Sequence, residues 1–217
     1  MKVGTDGVLL GAWVALGAAD RLLLDVGTGT GVIALMLAQR SPAAGVTALD
    51  IDAACAEQAR ANADRSPWGG RVTTCCAPVQ EYRPEEPFDL VVSNPPYYDR
   101  SLLPPDAGRT AARHTVALTH GELIAAACRL LAPEGRLAVI LPAVEAQRFR
   151  EQARGRLALR RLTEVWSTPR SGVKRCLMEF VRGDAAEFRT DQLVIEEAPG
   201  RFTEEYRRLT GDFYLKF

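Results

Sequence analysis

The stretch LLLDVGTGTG at residues 22–31 constrains the fold more than any other part of this chain. Three consecutive leucines leave no polar face, which is typical of a parallel strand covered on both sides. The glycines allow a tight turn in which the backbone can approach a ligand closely. The apolar residues 32–38 predict a helix directly after the turn. A strand, a glycine turn and a helix N-terminus together form a cradle for a nucleotide.

The glycine loop fits two cofactor patterns. Gly29, Gly31 and Ala34 match the dinucleotide-binding pattern G-x-G-x-x-A. Asp25, Gly27, Gly29 and Gly31 match the pattern D-x-G-x-G-x-G, which is typical of methyltransferases. The loop alone does not decide between them.

Asp50 follows the next apolar strand, about 20 residues beyond the glycines, where a carboxylate accepts hydrogen bonds from ribose hydroxyls. This position also suits either cofactor. The alternative interpretation is a turn that binds nothing, with Asp50 as the N-cap of a helix that begins at Ala53.

Strand and helix patterns alternate along the chain, which predicts an α/β fold with right-handed crossovers and a parallel sheet. The chain has 217 residues, 47% of them hydrophobic and 25% charged, so one domain over residues 1–217 is expected. Residues 1–20 would be an N-terminal segment and residues 183–217 a C-terminal extension on the same domain. A basic helix is predicted at residues 143–159, partly broken at Gly155, and the last strands at 163–167 and 176–181, with another short strand at 193–196.

The composition argues against membrane insertion and metal binding. No stretch approaches the roughly 18 apolar residues of a membrane helix, and no secretory signal follows Met1, which predicts a cytoplasmic protein. The five cysteines include no C-x-x-C pair, which favours buried free thiols over a metal site.

The fourth strand, at residues 88–92, runs into Ser93 and then Asn94, Pro95, Pro96 and Tyr97. Two prolines cannot continue a strand ladder, so the chain must leave the sheet at its carboxyl edge. An open α/β sheet binds its ligands at that edge. We therefore expect an amide, a backbone carbonyl and an aromatic ring beside the cofactor.

Asn-Pro-Pro-Tyr downstream of the glycine loop resembles class I S-adenosylmethionine-dependent methyltransferases that act on planar nitrogens. Nearly the whole chain resembles one family within that class, the bacterial tRNA(1)(Val) adenine-37 N6-methyltransferases. The matching segments are MKVGTDGVLLGAW at 1–13, LDVGTGTGVIALMLAQR at 24–40, SPW at 66–68, FDLVVSNPPYY at 88–98, AARHTVALTH at 111–120, VILP at 139–142 and FYL at 213–215.

The resemblance implies a Rossmann-like fold with a mostly parallel seven-stranded sheet, an antiparallel last hairpin and helices on both faces. It implies S-adenosyl-L-methionine as cofactor and Asn94, Pro95, Pro96 and Tyr97 as catalytic residues. The implied cofactor-binding residues are Thr5, Asp6, Asp25, Gly27, Gly29, Gly31, Asp50, Val79 and Asn94. On composition alone, Asp6 would instead be the N-cap of a simple turn.

The chain departs from the family at two places. Ala77-Pro78 stands where an acidic residue usually holds the adenine amine of the cofactor, a role that the Val79 backbone or Glu81 would have to take. Relatives also carry a further stretch before KVGTDG, so part of a substrate-facing lid is expected to be absent. These departures leave a cofactor-binding module without activity as an alternative.

Residues 148–175 contain nine arginines and lysines and two glutamates, a net charge of +7 in a chain whose formal charge is zero. The family resemblance favours tRNA phosphates as their partner, and we expect Arg148, Arg170, Lys174 and Arg175 to bind RNA. A solvated helix face is the alternative.

The substrate implied by the family is an adenine in a tRNA anticodon loop. A protein glutamine remains an alternative because the same motif would hold a carboxamide, and a dehydrogenase is a more distant one. His114 and His120 are interpreted as helix-capping or RNA contacts, because this chemistry needs no base. The sequence leaves the oligomeric state open.

Overall fold

The computed structural model describes residues 4–95 and 118–215. Within them, its helices are α1 Thr5–Trp13, α2 Val32–Arg40, α3 Ala53–Asp64, α4 His120–Leu130, α5 Ala143–Ala153 and α6 Glu204–Thr210. Its strands are β1 Leu22–Val26, β2 Gly45–Asp50, β3 Val72–Cys76, β4 Phe88–Ser93, β5 Leu131–Pro142, β6 Leu157–Trp166, β7 Val173–Arg182, β8 Arg189–Val194, β9 Glu196–Ala198 and β10 Arg201–Phe202.

The main sheet has eight strands in the order β3-β2-β1-β4-β5-β7-β6-β8. The first five strands of that order, from β3 through β2, β1 and β4 to β5, pair in parallel. Strand β7 pairs antiparallel with both β5 and β6. The predicted α/β fold with a mostly parallel sheet and an antiparallel last hairpin is confirmed. The sheet has one strand more than the expected seven, because the tail strand β8 pairs in parallel with β6.

Helices cover both faces of the sheet. One core cluster joins apolar residues of α4 and α5 to the sheet, and a second cluster joins residues of α1, α2 and α6 to the other side chains of the same strands. Leu24 and Val91 belong to the first cluster, whereas Leu23 and Leu90 belong to the second. The alternation follows from the two-residue period of a strand, and it explains why β1 and β4 carry apolar residues on both faces.

The predicted helix at residues 143–159 is wrong in its second half. The helix α5 ends at Ala153, the chain turns through Gly155 at φ 75°, and β6 begins at Leu157. Leu157 and Leu159 pair with β7. Two leucines at a spacing of two lie on one face of a strand, so burial in the sheet outweighs the helical propensity of the segment.

The helix α1 packs closely against α2. A Cβ added at Gly11 would lie 2.7 Å from the Met36 sulfur, and one added at Gly7 would lie 3.3 Å from a methyl carbon of Val32. The guanidinium of Arg40 also donates a hydrogen bond of 2.6 Å to the Gly11 carbonyl. The glycines of α1 therefore bring this helix next to the helix that follows the glycine loop.

A buried ionic network lies at the edge of the sheet where the parallel strands begin. Arg136 donates to both carboxylate oxygens of Asp20, at 2.9 and 2.7 Å, and its Nε lies 3.5 Å from Glu179. It also donates to the carbonyls of Ala15 and Asp89. Although burial alone would raise it, the pKa of Asp20 is lowered by the hydrogen bond from Arg136 and by the backbone amide of Gly17. The network ties β5 and β7 to the segment before β1.

Candidate active site

The glycine loop joins β1 to α2 at the carboxyl edge of the sheet. Gly27, Gly29 and Gly31 have φ of 72°, 56° and 80°, a left-handed region that L side chains rarely adopt. The amides of Gly27 and Thr28 donate to the carbonyl of Leu49 in β2, at 2.8 and 3.0 Å. A Cβ at Gly27 would meet no atom within 4 Å among the described residues, so the loop leaves open space on its outer side.

The Asp25 side chain supports the glycine loop through hydrogen bonds. Its Oδ2 accepts hydrogen bonds from the Thr28 hydroxyl at 2.6 Å and from the Ala34 amide at 3.2 Å. The side chain is completely buried, and Oδ1 has no hydrogen-bond partner within residues 4–95 and 118–215. Burial raises the pKa of Asp25 to about 7, although the bonds from Thr28 and Ala34 act in the opposite direction. Its visible contacts are therefore with the loop and the first turn of α2.

Asp50 lies at the end of β2 and faces the glycine loop. Its Oδ2 accepts a hydrogen bond of 2.8 Å from the Gly29 amide, and its Oδ1 accepts one of 2.9 Å from the Asp52 amide. The alternative in which Asp50 caps the following helix is wrong. The N-cap of α3 is Asp52, whose carboxylate accepts from the Ala54 amide at 2.8 Å.

The segment after β3 is held by an arginine of α4. Arg129 donates to the carbonyls of Val79 and Tyr82, at 2.8 and 2.7 Å. The Val79 side chain is buried, and the amide of Ala77 donates to the Asp50 carbonyl at 2.9 Å. The turn around Val79 is thereby fixed beside Asp50, although it lacks the usual acidic side chain.

Asn94 follows β4 directly and lies next to the end of β1. Ser93, the last residue of β4, is opposite Val26 in β1 and Val139 in β5. Its buried hydroxyl donates to the Val26 carbonyl at 2.8 Å. Asn94 is half-buried and Pro95 is buried. The structure thus brings Asn94 and Pro95 close to the glycine loop, whereas Pro96 and Tyr97 lie outside the described residues.

The N-terminal residues Thr5 and Asp6 form the first turn of α1, and the N-cap is Gly4, not Asp6. The Asp6 carboxylate accepts a hydrogen bond from Nε of Arg175 at 2.8 Å. Arg175 lies opposite Pro142, the last residue of β5, so the pair stands at the carboxyl edge.

Of the nine basic residues in the +7 run, four have acidic partners. Glu145 pairs with Arg148 at 2.5 Å, Glu179 with Arg160 at 2.8 Å, Asp191 with Arg161 at 3.5 Å and Asp6 with Arg175 at 2.8 Å. Within the part of the chain that the structure describes, the other five form no ion pair. These are Arg150, Arg154, Arg156, Arg170 and Lys174.

The five unpaired cations lie in two places. Arg170 and Lys174 belong to the turn between β6 and β7 and to the start of β7, at the same edge as Asn94. Arg150, Arg154 and Arg156 line a groove of about 890 Å³ between α5 and β6. Sequence reasoning did not separate Arg150, Arg154 and Arg156 from the rest of the run, because charge alone does not reveal which arginines find carboxylates.

His120 lies where the helices α4 and α5 begin. It is the first residue of α4, lies 3.8 Å from Glu145 and packs edge-on against Phe149, with ring centroids 5.3 Å apart. Burial lowers its pKa, against the effect of Glu145. The helix cap itself is Thr119, which forms a capping box with Glu122. His114 lies outside the described residues.

The described residues contain no group of three or more His, Cys, Asp or Glu that could hold a metal ion. Across residues 4–95 and 118–215, no helix combines the length and the apolar character needed to span a bilayer. All five cysteines are free, and only Cys176 is buried, so the expectation of buried thiols holds for that residue alone.

The fold is the one found in class I S-adenosylmethionine-dependent methyltransferases. A "predicted O-methyltransferase" from Agrobacterium tumefaciens has a solved structure that covers 95% of this chain and 96% of its own, with a TM-score of 0.78 at 20% identity. The glycopeptide N-methyltransferase MtfA, solved with S-adenosyl-L-methionine, covers 82% of this chain and 95% of its own, with a TM-score of 0.60 at 16% identity. At these identities the likeness concerns the fold.

Sequence comparisons give the family. The model of the methyltransferase small domain matches residues 8–153. The tRNA1(Val) (adenine(37)-N6)-methyltransferase of Flavobacterium johnsoniae is 44% identical over 100% of this chain and 93% of its own length. That of Porphyromonas gingivalis is 46% identical over 99% of this chain and 89% of its own. The chain therefore belongs to the tRNA1(Val) (adenine(37)-N6)-methyltransferase family.

Proposed function

We propose that this protein transfers a methyl group from S-adenosyl-L-methionine to N6 of adenine 37 in the anticodon loop of a valine tRNA. The observation that carries the proposal is the position of Asn94 and Pro95, which the pairing of Ser93 with Val26 and Val139 holds beside the glycine loop. Family membership supports the choice of substrate, since the relatives bear this activity in their names.

The residues around the loop fit the cofactor. The open space outside Gly27 can receive it, and the Asp50 carboxylate stands at the end of β2, where ribose hydroxyls can donate to it. When bound, S-adenosyl-L-methionine supplies an electrophilic methyl group on a sulfonium. We propose that Gly27, Gly29, Gly31 and Asp50 line the site, with Asp25 acting through the loop that it supports.

The flanking residues complete the proposed cofactor site. Thr5 and Asp6 would close it from the first turn of α1, and the backbone of Val79 would face the adenine. Asn94 would lie between cofactor and substrate.

The chemistry requires a well-placed nitrogen. The lone pair of an adenine amine is delocalised into the ring, so the amine is a poor nucleophile until it is correctly oriented. We propose that the Asn94 side-chain oxygen and the Pro95 carbonyl would each accept one N–H, which would direct the lone pair toward the methyl group. Held in this way, the amine would be oriented for attack on that methyl group, and the proton that the nitrogen loses after transfer would pass to water. Positioning and electrostatics carry this reaction without a strong base or a metal.

The anticodon loop suits this site because its bases are single-stranded. An unstacked loop adenine can enter the site at little cost in free energy. An adenine in a duplex must first be flipped out, which costs a few kcal/mol. Pro96 would continue the motif, and Tyr97 would stack on the base.

Two of the unpaired cations are the contacts that we propose for the RNA backbone. Arg170 and Lys174 stand at the carboxyl edge without acidic partners in the described part of the chain, and we propose them as phosphate contacts. At Arg148 and Arg175 a phosphate would have to compete with Glu145 and Asp6. We also propose that residues 1–217 form a single domain and that the protein works in the cytoplasm, where its tRNA is found.

The test is transfer of radiolabelled methyl from S-adenosyl-L-methionine to tRNA from cells that lack this gene, followed by nucleoside analysis. We expect N6-methyladenosine at position 37, and none in a tRNA with guanine there. Asn94→Ala should lower the rate on the order of a hundredfold or more, by analogy with loss of an oxyanion-hole donor, and leave cofactor affinity nearly unchanged. Labelling of a protein glutamine instead would refute the substrate, and wild-type turnover by Asn94→Ala would refute the positioning mechanism.

Two matched variants test whether RNA binding depends on Arg170 itself or only on the net charge of the protein. Arg170→Glu should weaken RNA binding and make its salt dependence shallower. Arg208→Glu makes the same change in net charge on α6, where Arg208 is exposed and pairs with Glu204, and should have little effect. Equal losses in both variants would show that only net charge matters.

A further inference from the structure

The helix α1 is anchored to the β6–β7 side of the sheet at both ends. At its first turn, Asp6 accepts a hydrogen bond from Arg175 of β7 at 2.8 Å. At its last residue, the Trp13 indole N–H donates to the Thr163 hydroxyl of β6 at 2.7 Å. The Arg161 guanidinium also stacks over the Trp13 ring, 4.3 Å from its centroid. The first anchor stands at the carboxyl edge, and the second is one helix length away.

On its other side, α1 contacts the helix that carries the cofactor loop. Gly7 and Gly11 approach Val32 and Met36 of α2 so closely that an added Cβ would lie 3.3 or 2.7 Å from their side chains. The glycine loop ends at Gly31, the N-cap of α2. A shift in the first turn of α1, which Thr5 and Asp6 form, would therefore also affect α2 and the loop that ends at its N-cap.

The surroundings of the Asp6–Arg175 ion pair hold its two side chains in a fixed geometry. The two side chains are 21% and 33% exposed, so water screens the pair less than it would a fully exposed one. A second guanidinium nitrogen of Arg175 donates to the Lys174 carbonyl at 3.0 Å, which orients the group further. Arg175 itself is held in the sheet opposite Pro142 of β5 and Val165 of β6. The strand thus provides a rigid base from which Arg175 holds the start of α1.

We propose that Arg175 is a positioning residue of the cofactor site, acting through Asp6 to hold the first turn of α1 at the carboxyl edge. It is thereby distinguished from Arg170 and Lys174, the proposed phosphate contacts. The inference rests on the proposed function in one respect, because it takes the carboxyl edge as the cofactor site. It requires no particular substrate.

The test is a double-mutant cycle with Asp6→Asn, Arg175→Gln and the two combined, in the full chain. The dissociation constant for S-adenosyl-L-methionine is measured by calorimetry without RNA. We expect each single variant to raise it about tenfold, as the loss of a charge-assisted hydrogen bond does. The combined variant should be no weaker than the weaker single variant, because both changes remove the same contact. Unchanged affinities, or effects that simply add, would overturn the proposal.

Two controls separate positioning from general destabilisation and from RNA binding. Trp13→Phe removes the hydrogen bond at the other end of α1 and should lower the melting temperature while leaving cofactor affinity unchanged. For RNA, Arg175→Gln should leave the salt dependence of tRNA binding as in wild type. A shallower salt dependence with unchanged cofactor affinity would make Arg175 a phosphate contact and reject the proposed role. A wild-type protein that binds the cofactor without methylating tRNA would refute the proposed substrate, and the cycle would still decide the role of Arg175.

Discussion

Replacing either Gly27 or Gly31 by alanine should separate the stability of the glycine loop from its ability to bind the cofactor. Both residues have a left-handed φ, 72° at Gly27 and 80° at Gly31, so alanine suffers similar backbone strain at both. Their surroundings differ. A Cβ at Gly31 would lie 3.1 Å from Cβ and 3.2 Å from Cα of Ala59 in α3, whereas a Cβ at Gly27 would meet nothing within 4 Å among the described residues.

The expected magnitudes follow from these contacts. A left-handed φ costs an L residue roughly 1–2 kcal/mol, offset in part by the lower entropy of the unfolded alanine chain. Gly27→Ala should therefore lower the free energy of unfolding by about 1 kcal/mol. Gly31→Ala adds overpacking against the backbone of α3, for which about 1–3 kcal/mol is usual. Its total loss should be about 2–4 kcal/mol.

Cofactor affinity should follow the opposite order. A Cβ at Gly27 would point into the open space that we assign to the cofactor, so this alanine should weaken binding more than Gly31→Ala does, although it lowers stability less. Urea unfolding gives the stability of each variant, provided that the slope m is unchanged, and calorimetry gives the affinity. Equal losses of stability in the two variants would refute the role of Ala59, and wild-type affinity in Gly27→Ala would refute the assignment of the cofactor space.

Two further predictions concern buried charges. Because the pKa of Asp25 is raised to about 7, the stability that its protonated form contributes is complete below its ordinary pKa of 3.8 and is lost as pH rises through about 7. Wild type should therefore lose more unfolding free energy between pH 5 and pH 8 than Asp25→Asn, and identical pH slopes in urea unfolding would contradict this. Arg136→Met should lower stability by about 3–5 kcal/mol, because it leaves Asp20 buried without its ionic partner and leaves Glu179 with Arg160 alone. Arg160→Met removes a 42% exposed arginine from Glu179 and should lower stability clearly less than Arg136→Met does. Thermal unfolding measures both variants, and equal losses of stability would argue against the network.

The sequence alone predicted the α/β class of the fold and the order of the elements around the candidate site. The sequence predicts the order of β1, the glycine loop and α2. It also predicts Asp50 after β2 and Asn94 after β4. These features depend on neighbours in the chain: the apolar pattern of a strand, the φ that glycine permits and the inability of proline to continue a ladder. Because parallel strands end at one edge, the order of elements also predicted that their terminal residues would come together.

Only the tertiary structure decided which distant groups meet. Arg175 pairs with Asp6, which is 169 residues away in the chain, and nothing in the local charge pattern distinguishes it from Arg170. The same holds for the helix predicted to continue to residue 159, because the pairing of Leu157 with β7 is a contact between strands and not a property of the segment. Local patterns determine which elements form and where each begins. The partner of a charge or a strand depends on free energies of burial and pairing that exist only once the chain has folded.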